Sequence, residues 1–306
     1  YKRKLYYIII KIKSKVISVF YLIPLYNSEK TIINSLLSIN SKKYHIEVIL
    51  INDKSTDESI KRVKSIETDL SYKIHIINNK VNLGISKSLN KGIDLAIKKK
   101  ADYLMRIDSD DFNLNNRTDY QIDFMESNPN IILCTSNARC LDSKGQLSGK
   151  IINLKSFFEN RFRPFSNMLG SIDIHPSFCF RIEPFRDIGI RYGMLPNIKF
   201  ENENLFFMRD GMEDLLLISV LIYYYGFNSI FRDSRRKLIS YSVNCPNSLT
   251  PTSKKQLNKL LGNILIANKI LYLGEDQNKK NFNNFVLAKA IAKHQFKGSY
   301  FNILIH

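Results

Sequence analysis

The chain has 306 residues, of which 44% are hydrophobic and 24% charged, a composition that excludes large-scale disorder and allows one large domain or two small ones. Its 46 Lys and Arg against 28 Asp and Glu give a formal net charge of +18, which favours anionic partners such as phosphorylated small molecules or anionic lipid surfaces. No nucleic-acid-binding motif accompanies this charge, so we expect no nucleic-acid partner.

The cysteines and the first residues bear on the compartment. The four cysteines show no Cys-x-x-Cys spacing, so we expect reduced thiols in a cytoplasmic protein rather than a metal cage or a disulfide framework. Residues 1–15 are basic and apolar, and Lys11, Lys13 and Lys15 interrupt the apolar run before it is long enough to span a membrane. We therefore expect neither a transmembrane helix nor a signal peptide.

Apolar strand-like runs alternate with helical patterns in the first half of the chain. Strands are predicted at residues 16–23, 47–51, 73–77 and 103–107. The first should stop at Pro24, and helices should begin at Ser28, at 55–58 and at Ser86. Strict alternation of strand and helix predicts an α/β fold with a parallel sheet covered by helices.

After about residue 140 the pattern loosens. A short strand is predicted at 175–181, a buried helix at 213–225, and amphipathic helices at 253–273 and 283–294. We find no internal repeat and no low-complexity linker, which favours one catalytic domain followed by a helical tail.

Polar side chains follow three of the predicted parallel strands. Asn27 comes after the first strand, Asp53 after the second, and Asp108 and Asp110 after the fourth. Ligands of such sheets bind beyond the carboxyl ends of the strands, so we expect these side chains to meet at one rim. Two carboxylates there suit Mg²⁺ or Mn²⁺, which complete their coordination with water and phosphate oxygens. The sequence therefore predicts a divalent cation that holds a diphosphate.

Several short motifs occur in a characteristic order along the chain. They are Ile23-Pro24-Leu25-Tyr26-Asn27, Ile51-Asn52-Asp53-Lys54-Ser55-Thr56-Asp57, Asn82-Leu83-Gly84 with Asn90, Arg106-Ile107-Asp108-Ser109-Asp110-Asp111, His175-Pro176-Ser177, Arg181, and Glu213-Asp214-Leu215. Each is weak alone, but the ordered set resembles the family 2 glycosyltransferases over about residues 16–250. The resemblance implies the GT-A fold, a Rossmann-like, mixed and mainly parallel central sheet flanked by helices.

The resemblance also implies a division of the chain. Residues 16–250 would form the GT-A domain, with a nucleotide-sugar half and an acceptor half at 16–140 and 141–250. Residues 1–15 would be an N-terminal segment and 251–306 a C-terminal helical region.

Roles for individual residues are implied in the same way. The residues expected to bind the nucleotide-sugar are Pro24, Tyr26, Asn27, Asp53, Asn82, Gly84, Asn90, Arg106 and Asp108. Within this set the residue matching Asp53 contacts the nucleobase, and Asp108 faces the ribose or the metal. Asp110, with Asp108, would bind Mn²⁺ or Mg²⁺. Glu213 and Asp214 would lie near the acceptor, with Asp214 as general base.

This set of roles predicts an inverting transfer of a sugar from a nucleotide-sugar. The resemblance implies a UDP-sugar, because members of the family usually use one. The acceptor would be a glycan or lipid-linked molecule in surface polysaccharide or lipopolysaccharide synthesis. The protein would then lie on the cytoplasmic face of the cell membrane, attached peripherally through its positive charge. The alternative is a catalytically inactive GT-A-fold protein that binds nucleotide or anionic surfaces.

Some residues keep two interpretations at this stage. His175 is either structural or a contact to acceptor or phosphate, as Arg181 and Asn244 also could be. Arg106 either pairs with the acidic cluster or reaches a phosphate. Two positions depart from the family pattern: Lys54 stands where Gly is usual, and Asn244 stands where many relatives have His, which leaves the third metal ligand undecided.

Overall fold

The computed structural model describes residues 16–142, 145–152, 174–194 and 213–242. In chain order its elements are β1 (Ser18–Leu25), α1 (Ile32–Leu37), β2 (His45–Asn52), α2 (Ser59–Ile66), β3 (Lys73–Asn78), α3 (Ile85–Lys98), β4 (Tyr103–Arg106), α4 (Arg117–Ser127), β5 (Leu133–Leu141), β6 (Leu147–Ile152), β7 (Cys179–Arg181), α5 (Glu183–Asp187), α6 (Glu213–Tyr225) and β8 (Ile230–Ser242).

The strands form one sheet in the order β3-β2-β1-β4-β7-β5-β6, with β8 also paired to β5. β1 is parallel to β2 and β4, β2 to β3, and β5 to β8. The three antiparallel pairs are β4 with β7, β7 with β5, and β5 with β6. The predicted mixed, mainly parallel sheet flanked by helices is therefore confirmed.

The strand register creates a common rim. Leu25, Asn52 and Asn78, the last residues of β1, β2 and β3, are aligned across the sheet. Arg106, the last residue of β4, lies opposite Leu22 of β1. We call this rim, where β1 to β4 end, the carboxyl edge.

Two apolar cores lie on opposite faces of the sheet. Alternate residues of β1 divide between them: Phe20 and Leu22 belong to the core that includes α3 and α6, whereas Tyr21 and Ile23 belong to the core that includes α1. Because successive side chains of a strand point to opposite faces, a strand apolar at every position is buried on both sides. This explains the uninterrupted apolar run in the sequence of β1.

Several element boundaries differ from the prediction. β1 continues through Pro24, whose backbone lies opposite Ile51 of β2. β4 ends opposite Leu22, so position 24 has a strand on one side only and the missing N–H of proline is tolerated there. The predicted short strand at 175–181 begins instead with a 3₁₀ turn, His175–Ser177, and only Cys179–Arg181 forms a strand.

The helix starts were also wrong by a few residues. α1 follows Thr31, and Ser28 serves it by accepting the backbone N–H groups of Thr31 and Ile32 with its carbonyl oxygen. α2 follows Glu58 rather than beginning at 55–58, and α3 follows Gly84 rather than Ser86. The helix predicted at 213–225 is confirmed as α6.

Other predictions fall outside the described residues. These are the N-terminal segment 1–15, Asn244, Cys245 and the helical region 251–306. Cys134, Cys140 and Cys179 are buried free thiols, as expected. In the described part of the chain no helix has both the length and the apolar character needed to cross a membrane.

Gly92 sets how closely α3 approaches the sheet. A Cβ atom placed there would lie 3.0 Å from Cδ1 of Ile51 and 3.1 Å from a methyl group of Leu22. We predict that Gly92→Leu lowers the free energy of unfolding by about 2 kcal/mol, because overpacking outweighs the better helix propensity of leucine. Urea denaturation measures this. Lys87→Leu, at an exposed site of the same helix, is the control and should stay within about 0.5 kcal/mol of wild type.

Candidate active site

Three aspartates follow β4 at the carboxyl edge. One carboxylate oxygen from each of Asp108, Asp110 and Asp111 lies within 4.8 Å of the other two. Asp108 and Asp110 are half-buried, whereas Asp111 is only 2% exposed. Burying like charges together is costly without a counter-charge, so the cluster is a candidate cation site.

Hydrogen bonds from two other elements hold this loop. The Ser35 hydroxyl of α1 donates to the carbonyl oxygen of Asp111 at 2.6 Å. From β8, the backbone N–H of Ser242 donates to the Asp111 carboxylate at 2.9 Å, and the Ser240 hydroxyl accepts the backbone N–H of Phe112 at 2.7 Å. The aspartates are therefore fixed by α1 on one side and β8 on the other.

The electrostatics of Asp111 show how well the cluster fits a cation. Burial raises the pKa of the Asp111 carboxyl well above its usual range, and the charges of Asp110 and Asp108 raise it further. A hard divalent cation would offset that repulsion and favour the ionised form of Asp111. The donor set is entirely carboxylate oxygen, the ligand type that Mg²⁺ and Mn²⁺ prefer. The residues present therefore fit such an ion.

Arg106 lies beneath the cluster and is 1% exposed. Its Nη2 donates to the carboxylate of Asp108 at 2.5 Å, and its Nη1 donates to the carbonyl oxygen of Ile107. Its Nε has no hydrogen-bond partner among the described residues. Of the two interpretations of Arg106, the structure shows the pairing with the acidic cluster.

A second pair of acids lies at the first turn of α6. Glu213 and Asp214 are 8% and 9% exposed. Nδ1 of His175 lies 3.8 Å from Oε1 of Glu213, and Nε2 of His175 is 2.8 Å from the Tyr192 hydroxyl. Asn90 of α3 anchors Tyr192 by accepting its backbone N–H at 2.8 Å and donating to its carbonyl oxygen at 2.9 Å.

His175 is held neutral. Burial lowers the pKa of His175 well below its usual range, and the nearby guanidinium of Arg106 lowers it further. Burial raises the pKa of the Tyr192 phenol, which therefore keeps its proton. The neutral imidazole thus forms a hydrogen bond with the Tyr192 hydroxyl through Nε2, and its Nδ1 faces Glu213.

Two tyrosines lie where the charges of both acidic groups act on them. Burial raises the pKa of the Tyr241 phenol, and the charges of Asp108, Asp111 and Asp214 raise it further. The Tyr192 phenol likewise lies within the electrostatic reach of Glu213, Asp214 and Asp108. Residues far apart in the sequence, on β4, α6 and β8, therefore converge.

Asp53 has a structural task at the carboxyl edge. It is 5% exposed, and its carboxylate accepts the backbone N–H of Leu83 at 2.7 Å and of Gly84 at 2.8 Å. The side-chain amide of Asn79 donates to it at 2.8 Å, and that of Asn82 donates to the Asp53 carbonyl oxygen at 3.3 Å. Asp53 thus orders the loop that leads into α3; contact with a nucleobase stays a prediction.

Asn27 performs a similar task between the loops that follow β1 and β2. Its side-chain oxygen accepts the backbone N–H of Thr56 at 2.8 Å, and its own N–H donates to the Ser55 hydroxyl at 3.1 Å. Lys54 in that second loop is exposed and has φ +65°. A left-handed backbone favours glycine, which explains why the family usually has glycine where this chain has Lys54.

The remaining predicted residues divide by location. Tyr26 follows β1 at the carboxyl edge and is 40% exposed. Arg181 is not brought to this edge, because it lies opposite Tyr103 at the start of β4. Its guanidinium donates to the Tyr103 hydroxyl at 2.7 Å and to the carbonyl oxygen of Ile131 at 2.9 Å, a structural role. Asn244 lies outside the described residues, two positions after Ser242.

The site residues predicted from the sequence did not include three residues that lie at this site in the structure. Asp111 was visible as the next acid after Asp110, but only burial shows that it belongs to the cluster. Tyr192 and Tyr241 carry no sequence signal, since single tyrosines occur throughout the chain.

A sheet of this topology, with an aspartate cluster after its fourth strand, defines a GT-A glycosyltransferase fold. Comparison with known proteins agrees: residues 21–189, more than half of the chain, match the family described as glycosyl transferase family 2. The chain belongs to that family.

Curated relatives match part of the chain. An uncharacterized glycosyltransferase of Haemophilus influenzae is 32% identical over 125 residues, covering 40% of this chain and 48% of that protein. The putative glycosyltransferase EpsE of Bacillus subtilis is 31% identical over 129 residues, covering 42% of this chain and 45% of that protein. The chain thus spans less than half the length of these two relatives.

Solved structures share the fold at low identity. TarS residues 1–349 of S. aureus, in complex with UDP-GlcNAc, superimposes with a TM-score of 0.62 and 18% identity, covering 91% of this chain and 72% of that one. The mannosyltransferase PcManGT of Pyrobaculum calidifontis, in complex with GDP-Man and Mn²⁺, superimposes with a TM-score of 0.52 and 13% identity. The match covers 94% of this chain and 78% of that one.

Asp53→Asn tests the structural role of Asp53. The amide group of asparagine can accept at one oxygen only, so at least one N–H of Leu83, Gly84 or Asn79 loses its partner. We predict a fall of about 2 kcal/mol in the free energy of unfolding, measured by urea denaturation without nucleotide. The exposed Asp69→Asn is the control. A stability equal to wild type would show that the carboxylate serves ligand binding alone.

Tyr192→Phe tests whether Tyr192 positions His175. The change removes the hydroxyl from Nε2 of His175, and we predict that kcat for glycosyl transfer falls about three- to tenfold, the worth of one hydrogen bond, while KM for the donor is unchanged. Tyr72→Phe removes another buried hydroxyl, which donates to the carbonyl oxygen of Leu36, and should leave kcat unchanged. Equal effects of the two substitutions on kcat would contradict a positioning role.

Proposed function

We propose that this protein is a metal-dependent, inverting glycosyltransferase that moves a sugar from a nucleoside diphosphate sugar, in first place a UDP-sugar, to a glycan or lipid-linked acceptor. One observation carries the proposal: a short chain of contacts joins the aspartate cluster after β4 to the acid pair of α6. Arg106 pairs with Asp108 and donates its backbone N–H to the carbonyl oxygen of Phe178. His175, whose ring contacts that of Phe178, lies 3.8 Å from Glu213. Such a transfer needs two carboxylate sites with different tasks, one for the donor and one for the acceptor.

Relatives support the choice of substrates. The solved TarS complexes contain UDP or UDP-GlcNAc. Curated relatives include the poly-beta-1,6-N-acetyl-D-glucosamine synthase of Staphylococcus epidermidis and the amylovoran biosynthesis glycosyltransferase AmsB of Erwinia amylovora. These names favour a nucleotide-sugar donor and the synthesis of a surface polysaccharide or lipopolysaccharide.

On the donor side, Asp108, Asp110 and Asp111 would hold Mn²⁺ or Mg²⁺. When bound, the ion supplies positive charge that stabilises the departing diphosphate. Arg106 orients the carboxylate of Asp108 through its 2.5 Å hydrogen bond. The loops ordered by Asp53 and Asn27 would receive the nucleoside, beside the exposed ring of Tyr26.

On the acceptor side, Asp214 would accept the proton of the attacking hydroxyl. A carboxylate in the first turn of a helix lies at the positive end of the helix dipole, which favours the charged form that a general base requires. Glu213, faced by neutral His175, would orient the acceptor. Direct displacement at the anomeric carbon inverts its configuration. NMR of a product that retained the configuration would overturn this part of the proposal.

The organisation of the chain follows the same proposal. Residues 16–140 would form the nucleotide-sugar half of a domain that reaches residue 250, and 141–250 the acceptor half. The net charge of +18 would attach the protein reversibly to the cytoplasmic face of an anionic membrane, close to a lipid-linked acceptor.

Two substitutions separate the donor and acceptor tasks. We predict that Asp110→Asn abolishes the Mn²⁺-dependent rise in melting temperature produced by UDP, because the cation loses a charged ligand. Asp214→Asn should keep that rise and lower kcat at least about a hundredfold, because it removes a general base. Thermal unfolding with UDP, GDP, CDP and dTDP, with and without Mn²⁺, followed by assays with the matching sugars, gives both measurements.

Asp69→Asn, far from the cluster in sequence and exposed, is the control for both substitutions and should behave as wild type. A wild-type protein that binds UDP with Mn²⁺ but transfers none of the common donor sugars would favour the alternative of an inactive GT-A-fold protein.

A further inference from the structure

A second polar pocket lies beside the middle of β8, before the residues of that strand that contact the loop of the aspartate cluster. Its volume is about 350 Å³, and its lining residues are Asn115, Tyr120, Arg235, Arg236, Lys237 and Leu238. Ser242 contacts Asp111, whereas Lys237 lies five residues earlier on the same strand. At about 3.3 Å per strand residue, Lys237 is about 16 Å from Ser242. None of the three aspartates lines the pocket.

An irregularity in β8 builds this pocket. Asp233 is opposite Ser136 of β5, but the next aligned pair is Lys237 with Asn137, so residues 234–236 bulge out of the ladder. The carboxylate of Asp233 holds the bulge by accepting the backbone N–H groups of Arg235 at 2.9 Å and Arg236 at 3.1 Å. The bulge therefore has a defined shape and presents three consecutive basic side chains.

The carboxylate of Asp233, next to the bulge, already has its hydrogen-bond partners. The Tyr120 hydroxyl of α4 donates to Asp233 at 2.7 Å, and Asp233 is 3% exposed. Burial raises the pKa of Asp233, but the hydrogen bonds from Tyr120 and from the backbone of Arg235 and Arg236 lower it by more, so the group stays ionised. One negative charge thus lies under three positive ones.

The three basic side chains are not equivalent. The Arg236 guanidinium lies 4.0 Å from the centroid of the Tyr120 ring and 3.3 Å from the carboxylate of Asp233. These two contacts hold the Arg236 side chain in place at one side of the pocket. Within the described part of the chain, the side chains of Arg235 and Lys237 form no hydrogen bond or ion pair. Two cations therefore remain available beside one that is held in place.

We propose that this pocket binds a phosphate group. Two available cations and a fixed guanidinium around a small cavity match a group with several charged oxygens, which accepts charge-assisted hydrogen bonds from Arg and Lys at once. The group belongs either to a soluble phosphorylated compound or to a lipid headgroup, and both present the same chemistry. This site is independent of the donor site, since no residue of the aspartate cluster lines it.

The test removes the two available charges. Arg235→Gln/Lys237→Gln is compared with Arg62→Gln/Lys64→Gln, an exposed Arg and Lys at the same spacing on α2. Inorganic phosphate is titrated into each full-length protein by calorimetry with EDTA present, so that no metal at the aspartates contributes. We expect the pocket variant to lose at least about tenfold in affinity, or about 1.4 kcal/mol, and the control to bind as wild type. The same loss in both variants, or in neither, overturns the proposal.

Vesicles distinguish the two sources of phosphate. Phosphatidylcholine vesicles with phosphatidic acid, which has a phosphate monoester, are compared with vesicles of equal charge made with phosphatidylserine. Weaker sedimentation of only the pocket variant with the phosphatidic acid vesicles assigns the site to a lipid headgroup. Equal sedimentation of all three proteins, together with the loss in calorimetry, assigns it to a soluble phosphate. Thermal unfolding confirms that both variants fold, as expected because none of the four positions is buried.

Discussion

Mutual repulsion among three carboxylates is the constraint on which the rest of the site depends. Asp108, Asp110 and Asp111 come together because the strand before them is buried on both faces and ends at the carboxyl edge. α1 and β8 then hold the loop by hydrogen bonds to Asp111. These contacts hold the loop despite the repulsion among the carboxylates, which a doubly charged cation would offset.

Much of this arrangement could be predicted from the sequence, for physical reasons. Strands buried on both faces are apolar at every position, so β1 and β2 stand out, and parallel pairing brings their ends to one rim. Helix starts were less predictable because Ser28 acts through its carbonyl oxygen and α3 starts after a glycine held by Asp53. The contact between Asp53 and Gly84 joins residues 31 positions apart, which local patterns do not encode.

The resemblance to a family named residues without saying what each does in the folded chain. Asp53, Asn27 and Asn90 all use their side chains to join one segment to another. A role in shaping loops explains their place in the motifs as readily as direct contact with a nucleotide does. Arg181, at the far end of β4, shows that a motif residue can be purely architectural.

The apolar surroundings of α6 have a consequence for how such an enzyme could diversify. The helix that begins with Glu213 and Asp214 continues into residues that are buried on nearly every side. A helix enclosed in this way cannot slide or rotate without disrupting the core. Glu213 and Asp214 are therefore held in place relative to β4. Under the proposed function, new acceptor preferences would have to arise in neighbouring segments rather than by displacement of these acids.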